Sequence, residues 1–399
     1  MNSSRWVCPA CSCLCDDLTI ERAEDSCTIN PRCAKAESWL RRISANKRSL
    51  QSPPTAESDR VIVALRTALT SAQFPLMTGL GNLPIATQQI AVKLAEKYEA
   101  GLDVAIDHRG SNAMDGLLRH GQVTATLGEV ANRADFVLLC FCDPMETHPR
   151  LFDRVLKNPS KPFKRIVVVD RQSSPSAELA DQFIQSDDPL KFVSRLSDFL
   201  KADTETKSDS AEAEVWRQLM GAEYGAVFLS DDADAATVEQ WYPFVREMNQ
   251  YAPLVLSTLR RDRNGRGCEQ VLTSLTGFPG PLRFENGEPH YDADRYASAQ
   301  VLQREQCDLL LVCDIGAEVP FEQKLSASEV DFLKKIPVAV LSDFPLADYE
   351  TVDFYLPAGT PGWNCGGDFY RLDGIPIPLV SLTQESVLAP DQLFRMLLQ

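Results

Sequence analysis

Six of the chain's twelve cysteines lie within the first 33 residues, and thiolates are soft ligands that suit iron–sulfur clusters and zinc. Three have a C-x2-C-x3-C spacing and a fourth follows after seventeen more residues; these are Cys8, Cys11, Cys15 and Cys33. Three close thiolates and one distant thiolate are typical of a [4Fe–4S] cluster. The spacing therefore predicts such a cluster on these four residues.

Two other outcomes fit the same cysteines. A structural zinc site usually pairs two C-x2-C hooks, but here five residues separate Cys27 from Cys33. A vestigial knuckle without metal is the third interpretation. Cys13 and Cys27 are spare in the cluster prediction, with Cys27 as an alternative to Cys33. Disulfides are not expected, because the amino terminus lacks the apolar core of a signal peptide.

A metal-dependent hydrolytic site is not predicted, because such a site gathers several histidine and aspartate ligands. The chain has four histidines and no His-x-His pair; they are His108, His120, His148 and His290. We expect His148 to order its own loop. No catalytic residue is predicted.

Three further segments have both a binding and a structural interpretation. Residues 79–82 (Gly-Leu-Gly-Asn) fit a plain strand-to-helix turn better than a phosphate cradle. The basic run 260–267 fits either an anionic partner or salt bridges to a neighbouring protein of a complex. The glycine-rich segment 359–367 is expected to be an irregular loop or an interface. The remaining cysteines are expected to be buried thiols: Cys140, Cys142, Cys268, Cys307, Cys313 and Cys365.

Helical and strand-like patterns alternate after the cysteine-rich segment. Continuous apolar runs of strand length separated by helices indicate an α/β fold with parallel sheets. The second half repeats the order of the first, since 306–314, 337–343 and 352–357 echo 133–140, 166–170 and 179–184. Three matched elements predict two related Rossmann-like domains.

The length of 399 residues suits two or three domains. We expect a Cys-rich iron–sulfur domain at 1–50, a first Rossmann-like domain at 51–215 and a second at 216–399. The acidic, apolar-poor segment 202–215 is expected to be an exposed connector between the two halves.

The composition excludes several classes of protein. The net charge of −16 argues against a nucleic-acid binder, because an acidic surface repels phosphates. No run of about 18 apolar residues is present, so a membrane-spanning helix is not expected. We expect a cytoplasmic protein.

A cysteine knuckle followed by two α/β domains resembles the pterin-dependent molybdenum and tungsten oxidoreductases. In particular, the chain resembles the B-subunit family of formylmethanofuran dehydrogenase along essentially its whole length. The motifs are Cys-Pro-x-Cys-x3-Cys-Asp-Asp at 8–17, Thr-Leu-Gly-Glu-Val-Ala-Asn-Arg-Ala-Asp at 126–135, His-Pro-Arg at 148–150 and Tyr-Arg-Leu-Asp-Gly-Ile-Pro at 370–376. The resemblance implies a molybdopterin oxidoreductase-like fold.

The resemblance also implies a cysteine or selenocysteine that holds the redox metal on the loop at 107–116. That loop has no cysteine, and Ala113 and Met114 stand near the place of the usual Cys-His pair. A methionine thioether is uncharged and binds such metals weakly. In the next loop, Asp143 stands where the family usually has Asn, and its carboxylate would repel the phosphates of a pterin cofactor. Phe141-Cys142 replaces a small glycine-type turn there.

These losses favour the related bacterial formyltransferase/hydrolase complex, whose B subunit resembles a pterin enzyme without its redox centre. We therefore expect a non-catalytic, structural B subunit that retains a [4Fe–4S] cluster and has no molybdopterin or tungstopterin. The implied partners are the other three proteins of that complex, namely the amidohydrolase-like A subunit, the C subunit and the formyltransferase D subunit. Together they would convert formyl-tetrahydromethanopterin to formate through a methanofuran-like carrier. The alternative is the B subunit of an active tungsten- or molybdenum-pterin formylmethanofuran dehydrogenase.

Overall fold

Parallel strands alternate with helices along most of the chain, as the apolar patterns predict. The computed structural model describes residues 2–22, 27–46, 55–107, 112–157, 164–202, 209–383 and 387–399. The strands are β1 (Asn2–Trp6), β2 (Leu18–Arg22), β3 (Cys27–Asn30), β4 (Pro75–Thr78), β5 (Gly101–Leu102), β6 (Phe136–Cys140), β7 (Arg165–Asp170), β8 (Gln182–Gln185), β9 (Gly225–Ser230), β10 (Leu254–Leu259), β11 (Leu282–Glu285), β12 (Glu288–Tyr291), β13 (Leu309–Asp314), β14 (Val338–Ser342), β15 (Phe354–Pro357), β16 (Gly367–Tyr370) and β17 (Pro376–Leu379).

The helices connect and cover these strands. They are α1 (Ala34–Asn46), α2 (Thr55–Ser71), α3 (Ile85–Lys97), α4 (Asn112–His120), α5 (Leu127–Arg133), α6 (Pro144–Thr147), α7 (Pro175–Leu179), α8 (Pro189–Ala202), α9 (Ala211–Gly221), α10 (Ala235–Met248), α11 (Gly265–Thr276), α12 (Ala293–Tyr296), α13 (Ser298–Gln303), α14 (Ala327–Leu333) and α15 (Pro390–Leu398). Among the described residues, no helix is long and apolar enough to cross a lipid bilayer.

The first compact unit consists of Met1–Ser111, Asp262–Arg371 and Pro376–Gln399. Its main sheet has the strand order β12-β11-β5-β4-β13-β14-β15, and the strands from β5 to β15 are parallel. The antiparallel β11–β12 hairpin extends one edge of this sheet. The same unit contains the small antiparallel sheet β1-β2-β3, which carries the cysteine-rich segment, and the β16–β17 hairpin.

The second compact unit consists of Asn112–Arg261 and Leu372–Ile375. Its sheet is wholly parallel and has the order β10-β9-β6-β7-β8. The buried strands read as continuous apolar runs, because helices cover both faces of such sheets. Leu138, Val167 and Val227 belong to its apolar core.

These units divide the chain differently from the domains expected at 51–215 and 216–399. The expected boundary at 215/216 lies within the second unit, because β6 pairs with β9 in parallel register across it. The parallel pairing of β4 with β13 likewise joins the part of the first unit that precedes the second unit in sequence to the part that follows it. Residues 211–215 begin α9 instead of extending a connector, while 203–208 and the expected boundary at 50/51 lie outside the described residues.

The internal repeat takes the form of two matching strand triplets. Strands β6, β7 and β8 are adjacent and parallel in one sheet, and β13, β14 and β15 are adjacent and parallel in the other. The three strands of each triplet coincide with the three segments that recur in the two halves of the sequence. The pattern therefore corresponds to a shared arrangement of strands.

Matching aspartates fix the amino-terminal ends of these triplets. Asp135 accepts hydrogen bonds from the backbone N–H groups of Glu223 and Tyr224, both at 2.9 Å. Asp308 accepts equivalent bonds from Gln73 at 2.6 Å and Phe74 at 2.9 Å. In both units the carboxylate satisfies N–H groups just before the neighbouring strand begins.

A second pair of matching aspartates, Asp181 and Asp353, forms the same kind of bond at the next strand of each sheet. Asp181 accepts a 2.7 Å bond from the backbone N–H of Ile166, and Asp353 accepts a 2.9 Å bond from that of Val338. Because ligands of α/β sheets bind beyond the opposite, carboxyl ends of the strands, these Ala-Asp and Val-Asp positions are structural. Their motif identifies the fold and not a binding site.

We predict that Asp308→Ala lowers the free energy of unfolding by about 2 kcal/mol, because two backbone donors lose a charged acceptor. Asp331→Ala is the matched control, since Asp331 only forms an exposed pair with Lys334, and its effect should stay within about 0.5 kcal/mol. Chemical denaturation of both variants measures the difference. Equal losses of unfolding free energy in the two variants would show that the hydrogen bonds from Gln73 and Phe74 to Asp308 do not stabilise the fold.

Candidate functional site

The predicted cluster ligands lie at two adjoining places in the first unit. Cys8, Cys11 and Cys15 are buried on the loop between β1 and β2. That loop is closed by backbone bonds from Cys8 N to Cys15 O at 3.0 Å and from Leu14 N to Cys11 O at 3.2 Å. Cys33 directly precedes α1, and its carbonyl accepts a 2.9 Å bond from the N–H of Glu37.

The charges around Cys8 show that these thiols are grouped. Burial raises the pKa of the Cys8 thiol well above its ordinary value, and the neighbouring Cys11 and Cys15 raise it further, with a smaller effect from Cys33. The cysteines acting on Cys8 are therefore the three other predicted ligands. Cys13 lies buried in the same loop, and Cys27 begins β3.

A cationic group would reverse the electrostatics of this thiol group. Buried neighbouring thiolates repel one another, so they persist together only when a metal compensates their charge. Across the described residues, no group of three or more His, Cys, Asp or Glu side chains forms a site ready to hold a metal ion. Four cysteine thiolates are a donor set that suits a [4Fe–4S] cluster and a tetrahedral zinc ion alike.

The residues that stand where the resemblance implies a metal-binding cysteine lie in a packed helix. Ala113 and Met114 are both buried in the first turn of α4. The hydroxyl of Tyr242 on α10 donates a 2.8 Å hydrogen bond to the carbonyl of Ala113. This stretch is therefore part of the α4–α10 packing. His108, at the start of the same expected loop, lies outside the described residues.

Side chains fill the carboxyl end of β6 in the second unit. Phe141 adopts a left-handed backbone conformation with φ of 50°, and the guanidinium of Arg171 lies 5.5 Å from its ring centroid. The Cys142 thiol donates a 3.4 Å bond to the carbonyl of Phe228. Phe141 thus brings a large side chain to a turn where the resemblance implies a small residue.

Asp143 forms hydrogen bonds within the protein at the same carboxyl end of the sheet. Its carboxylate caps α6 by accepting a 3.0 Å bond from the N–H of Met145, and it also accepts from the hydroxyl of Ser176. Burial raises the pKa of nearby Asp170, and the charge of Asp143 raises it further. This edge therefore holds two neighbouring carboxylates, which disfavour a phosphate.

His148 orders its loop, as predicted. The buried imidazole places Nε2 at 3.0 Å from the carbonyl oxygen of Arg260 and Nδ1 at 2.9 Å from the hydroxyl of Thr147. His120 Nε2 lies 3.4 Å from Glu239 Oε2, and His290 is exposed on β12. These three histidines do not form a shared site.

Most of the basic run at 260–267 is buried, which disagrees with both expected roles, an anionic partner and salt bridges to a neighbouring protein. Arg260 and Arg263 are only 5% and 3% exposed. Arg260 pairs with Asp231 at 2.8 Å in the second unit. In the first unit, Arg263 donates to the carbonyl of Ile315 at 2.6 Å, and burial lowers its pKa to about 10. Arg261 is exposed.

Two of the candidate segments meet at the carboxyl edge of the first unit's main sheet. The N–H of Asn264, from the basic run, donates to the carbonyl of Gly81 at 2.7 Å. The side-chain oxygen of Asn264 accepts a 2.7 Å bond from the N–H of Tyr370 in β16. The close fit extends to Gly316, where a Cβ would lie 1.8 Å from Arg263 Nη2. Arg263 therefore needs glycine at that position.

The glycine-rich segment lies against the cysteine loop. The Trp6 indole N–H donates a 3.1 Å bond to the carbonyl of Gly362. Gly362 has a φ of 81°, and a Cβ there would lie 2.8 Å from the ring of Pro9, which stands between the first two cluster cysteines. The glycine-rich segment therefore packs closely against the loop that bears Cys8, Cys11 and Cys15.

Asp343 connects several of these parts through one buried carboxylate. It accepts bonds from Arg42 at 3.1 and 3.3 Å, from the N–H of Gly316 at 2.8 Å and from the hydroxyl of Thr360 at 2.8 Å. The side chain of Asp343 is only 1% exposed. Asp343 was not among the predicted site residues, although an aspartate directly after an apolar strand is a usable signal.

Asp314 ends the neighbouring strand β13 and is also buried. Its Oδ2 accepts a 2.7 Å bond from the Tyr349 hydroxyl and a 2.8 Å bond from the N–H of Phe321. Burial outweighs these bonds and raises the pKa of Asp314 to about 6, with a smaller contribution from the charge of Asp343.

We predict that Asp314 makes stability fall as the pH rises from about 4 to about 6. Its folded pKa lies above that of an unfolded chain, so the folded protein binds more protons in this window. Relative to the unmodified chain, Asp314→Asn should gain about 3 kcal/mol of unfolding free energy between pH 4 and pH 7. Denaturant titrations at both values measure this gain, and a pH-independent difference would contradict it.

Arg42→Gln should lower the free energy of unfolding by about 3 kcal/mol, because it removes the guanidinium that is hydrogen-bonded to the buried Asp343 carboxylate. Arg41→Gln, one position away on the exposed side of α1, should change it by less than about 0.5 kcal/mol. Denaturation under identical buffer conditions compares the two variants. A similar loss in both would mean that the ion pair is dispensable.

No family model matches the chain. Its relatives include the B subunit of the tungsten-containing formylmethanofuran dehydrogenase 2 of Methanococcus maripaludis, which is 28% identical over 98% of this chain and 97% of the relative. The protein of the same name from Methanocaldococcus jannaschii is 27% identical over the same shares. The B subunit of the formyltransferase/hydrolase complex Fhc of Methylorubrum extorquens is 21% identical over 79% of this chain and 86% of the relative.

Solved structures share the fold at lower sequence identity. A chain in the crystal structure of the Methylorubrum extorquens formyltransferase/hydrolase complex with methylofuran has a TM-score of 0.72 and 18% identity, covering 87% of this chain and 96% of that chain. Acetylene hydratase from Pelobacter acetylenicus has a TM-score of 0.54 and 10% identity, covering 98% and 68%. The resemblance drawn from the motifs is confirmed: the chain is a relative of the B subunits of formylmethanofuran dehydrogenase and of the formyltransferase/hydrolase complex.

Proposed function

We propose that this chain is the non-catalytic, structural B subunit of a formyltransferase/hydrolase complex. Its fold is of the molybdopterin oxidoreductase type, but the residues that such an enzyme needs at its redox metal are absent. The complex would convert formyl-tetrahydromethanopterin to formate through a methanofuran-like carrier. Its chemistry would reside in the other subunits.

One observation carries this proposal. At 113 and 114, where the resemblance implies a thiolate or selenolate ligand for the metal, a buried Ala-Met pair packs against α10. The thioether of Met114 provides no negative charge for a high-valent metal. These residues do not fit the metal of a pterin cofactor, so we assign no redox step to it.

The end of β6 supports the same conclusion. The large Phe141 side chain and the carboxylates of Asp143 and Asp170 occupy the edge at which α/β sheets take nucleotides and related phosphates. The two carboxylates would repel a phosphate bound there, and Arg171 is the one cation that this turn brings near them among the contacts described above. The losses at the metal loop and at this edge are therefore consistent with each other.

The amino-terminal cysteines fit a retained [4Fe–4S] cluster. Cys8, Cys11, Cys15 and Cys33 would hold it, with Cys13 and Cys27 left outside the ligand set. When bound, such a cluster supplies one-electron redox chemistry and a covalent link between the chain segments that bear its ligands. In a non-catalytic protein, the second property gives a reason to retain it.

The comparisons support the proposal that this chain has partner subunits, because the structural neighbour comes from the formyltransferase/hydrolase complex FhcABCD. We propose that this chain binds three others, namely the amidohydrolase-like A subunit, the C subunit and the formyltransferase D subunit, and that the complex is cytoplasmic. Neither a nucleic acid nor a membrane is expected among its partners.

A second candidate is the B subunit of an active tungsten- or molybdenum-pterin formylmethanofuran dehydrogenase. The observation in its favour is the higher identity to two tungsten-containing relatives, 28% and 27%, than to the relative from the Fhc complex, 21%. In this case the metal would bind without a protein thiolate. The two candidates differ in whether the complex transfers electrons.

We predict that a tagged chain purified anaerobically from its source copurifies with the three other subunits and shows no formate-dependent reduction of a viologen dye. The complex should still release formate from the formylated carrier, since the hydrolytic site lies elsewhere. The matched control is an active formylmethanofuran dehydrogenase assayed with the same dye. Dye reduction at a comparable rate would establish the second candidate instead.

A further inference from the structure

Contacts in the first unit form a nearly closed ring that begins and ends at the cysteine ligands. From the loop with Cys8, Cys11 and Cys15, the ring passes through Trp6 and Pro9 to Gly362. Gly362 lies two residues after Thr360, whose hydroxyl donates to Asp343. This arm therefore connects three ligands to the buried carboxylate.

The other arm connects Asp343 to the fourth ligand. Arg42 makes two hydrogen bonds to Asp343 and extends from α1, which begins directly after Cys33. Arg42 follows Cys33 by nine residues, or about 13 Å along a helix. The position of Cys33 therefore fixes where the guanidinium can reach.

We propose that the metal centre bound by Cys8, Cys11, Cys15 and Cys33 closes this ring and thereby holds Arg42 of α1 against Asp343. The inference rests on the cluster proposed above and adds a role for it: it is a structural link whose loss loosens α1 and the strand ends that Asp343 joins. Loss of iron would then also weaken the hydrogen bonds that Gly316 and Thr360 donate to Asp343, although neither residue is a ligand.

Other contacts of the knuckle make the effect local. Leu14 packs with Phe369 and Leu379 of the β16–β17 hairpin, and the Trp6 and Trp39 rings have centroids 6.1 Å apart. These apolar contacts do not depend on metal, so the knuckle need not unfold when iron leaves. The change should be concentrated along α1 and around Asp343.

Hydrogen exchange on the intact, anaerobically purified complex tests this link. Iron is removed with dithionite and a ferrous chelator, bathophenanthroline disulfonate, and exchange is followed by mass spectrometry. Amide exchange in α1 and at 314–317 and 358–365 should become at least about fivefold faster, while β6 and β9 of the second unit remain unchanged. Complete iron removal with unchanged exchange in α1 would overturn the proposed link and leave the cluster assignment intact.

The reverse coupling gives a second readout, because linkage between two sites is reciprocal. Arg42→Gln should release iron to the chelator at least about fivefold faster than the unmodified chain, whereas Arg41→Gln should release it at the unmodified rate. Equal rates in the two variants would contradict the inference. If the purified complex holds only zinc or no metal, both the cluster assignment and this inference are wrong.

Discussion

One buried carboxylate organises the first unit. A charge as inaccessible as that of Asp343 is tolerated only when it is paired and fully hydrogen-bonded, and here the donors come from three separate parts of the chain. Arg42 belongs to the helix after the cysteine-rich segment, Gly316 follows β13, and Thr360 lies in the glycine-rich segment. Any rearrangement that removes one donor leaves the charge less compensated. The group therefore fixes the relation between the knuckle and the main sheet of its unit.

The two parallel sheets share one construction and differ where ligands would bind. Aspartates at 135 and 308, and again at 181 and 353, make the same backbone bonds at the amino ends of matching strands. At the carboxyl ends the likeness stops, since one edge has a buried Arg-Asp network and the other has a filled turn with neighbouring carboxylates. The same fold can therefore carry different groups at its ligand edge, and the edge has to be judged from its own residues.

Local patterns were sufficient to predict much of this protein. The strands, the α/β class and the repeat follow from apolar runs, and three of the four predicted ligands (Cys8, Cys11 and Cys15) lie buried in one loop. Interleaving of the two units was not predictable in this way, because it depends on pairing between strands such as β4 and β13 that are far apart in sequence. The burial of Arg260 and Arg263 was missed for a similar reason. Their partners, Asp231 and the carbonyl of Ile315, lie 29 and 52 residues away.

The central claim is that the chain keeps an iron–sulfur cluster and has lost the pterin-bound metal. Elemental analysis of the anaerobically purified intact complex tests both parts on one sample. The account predicts about four irons per copy of this chain, with molybdenum and tungsten at background. Tungsten or molybdenum near one atom per chain, or zinc in place of iron, would contradict it.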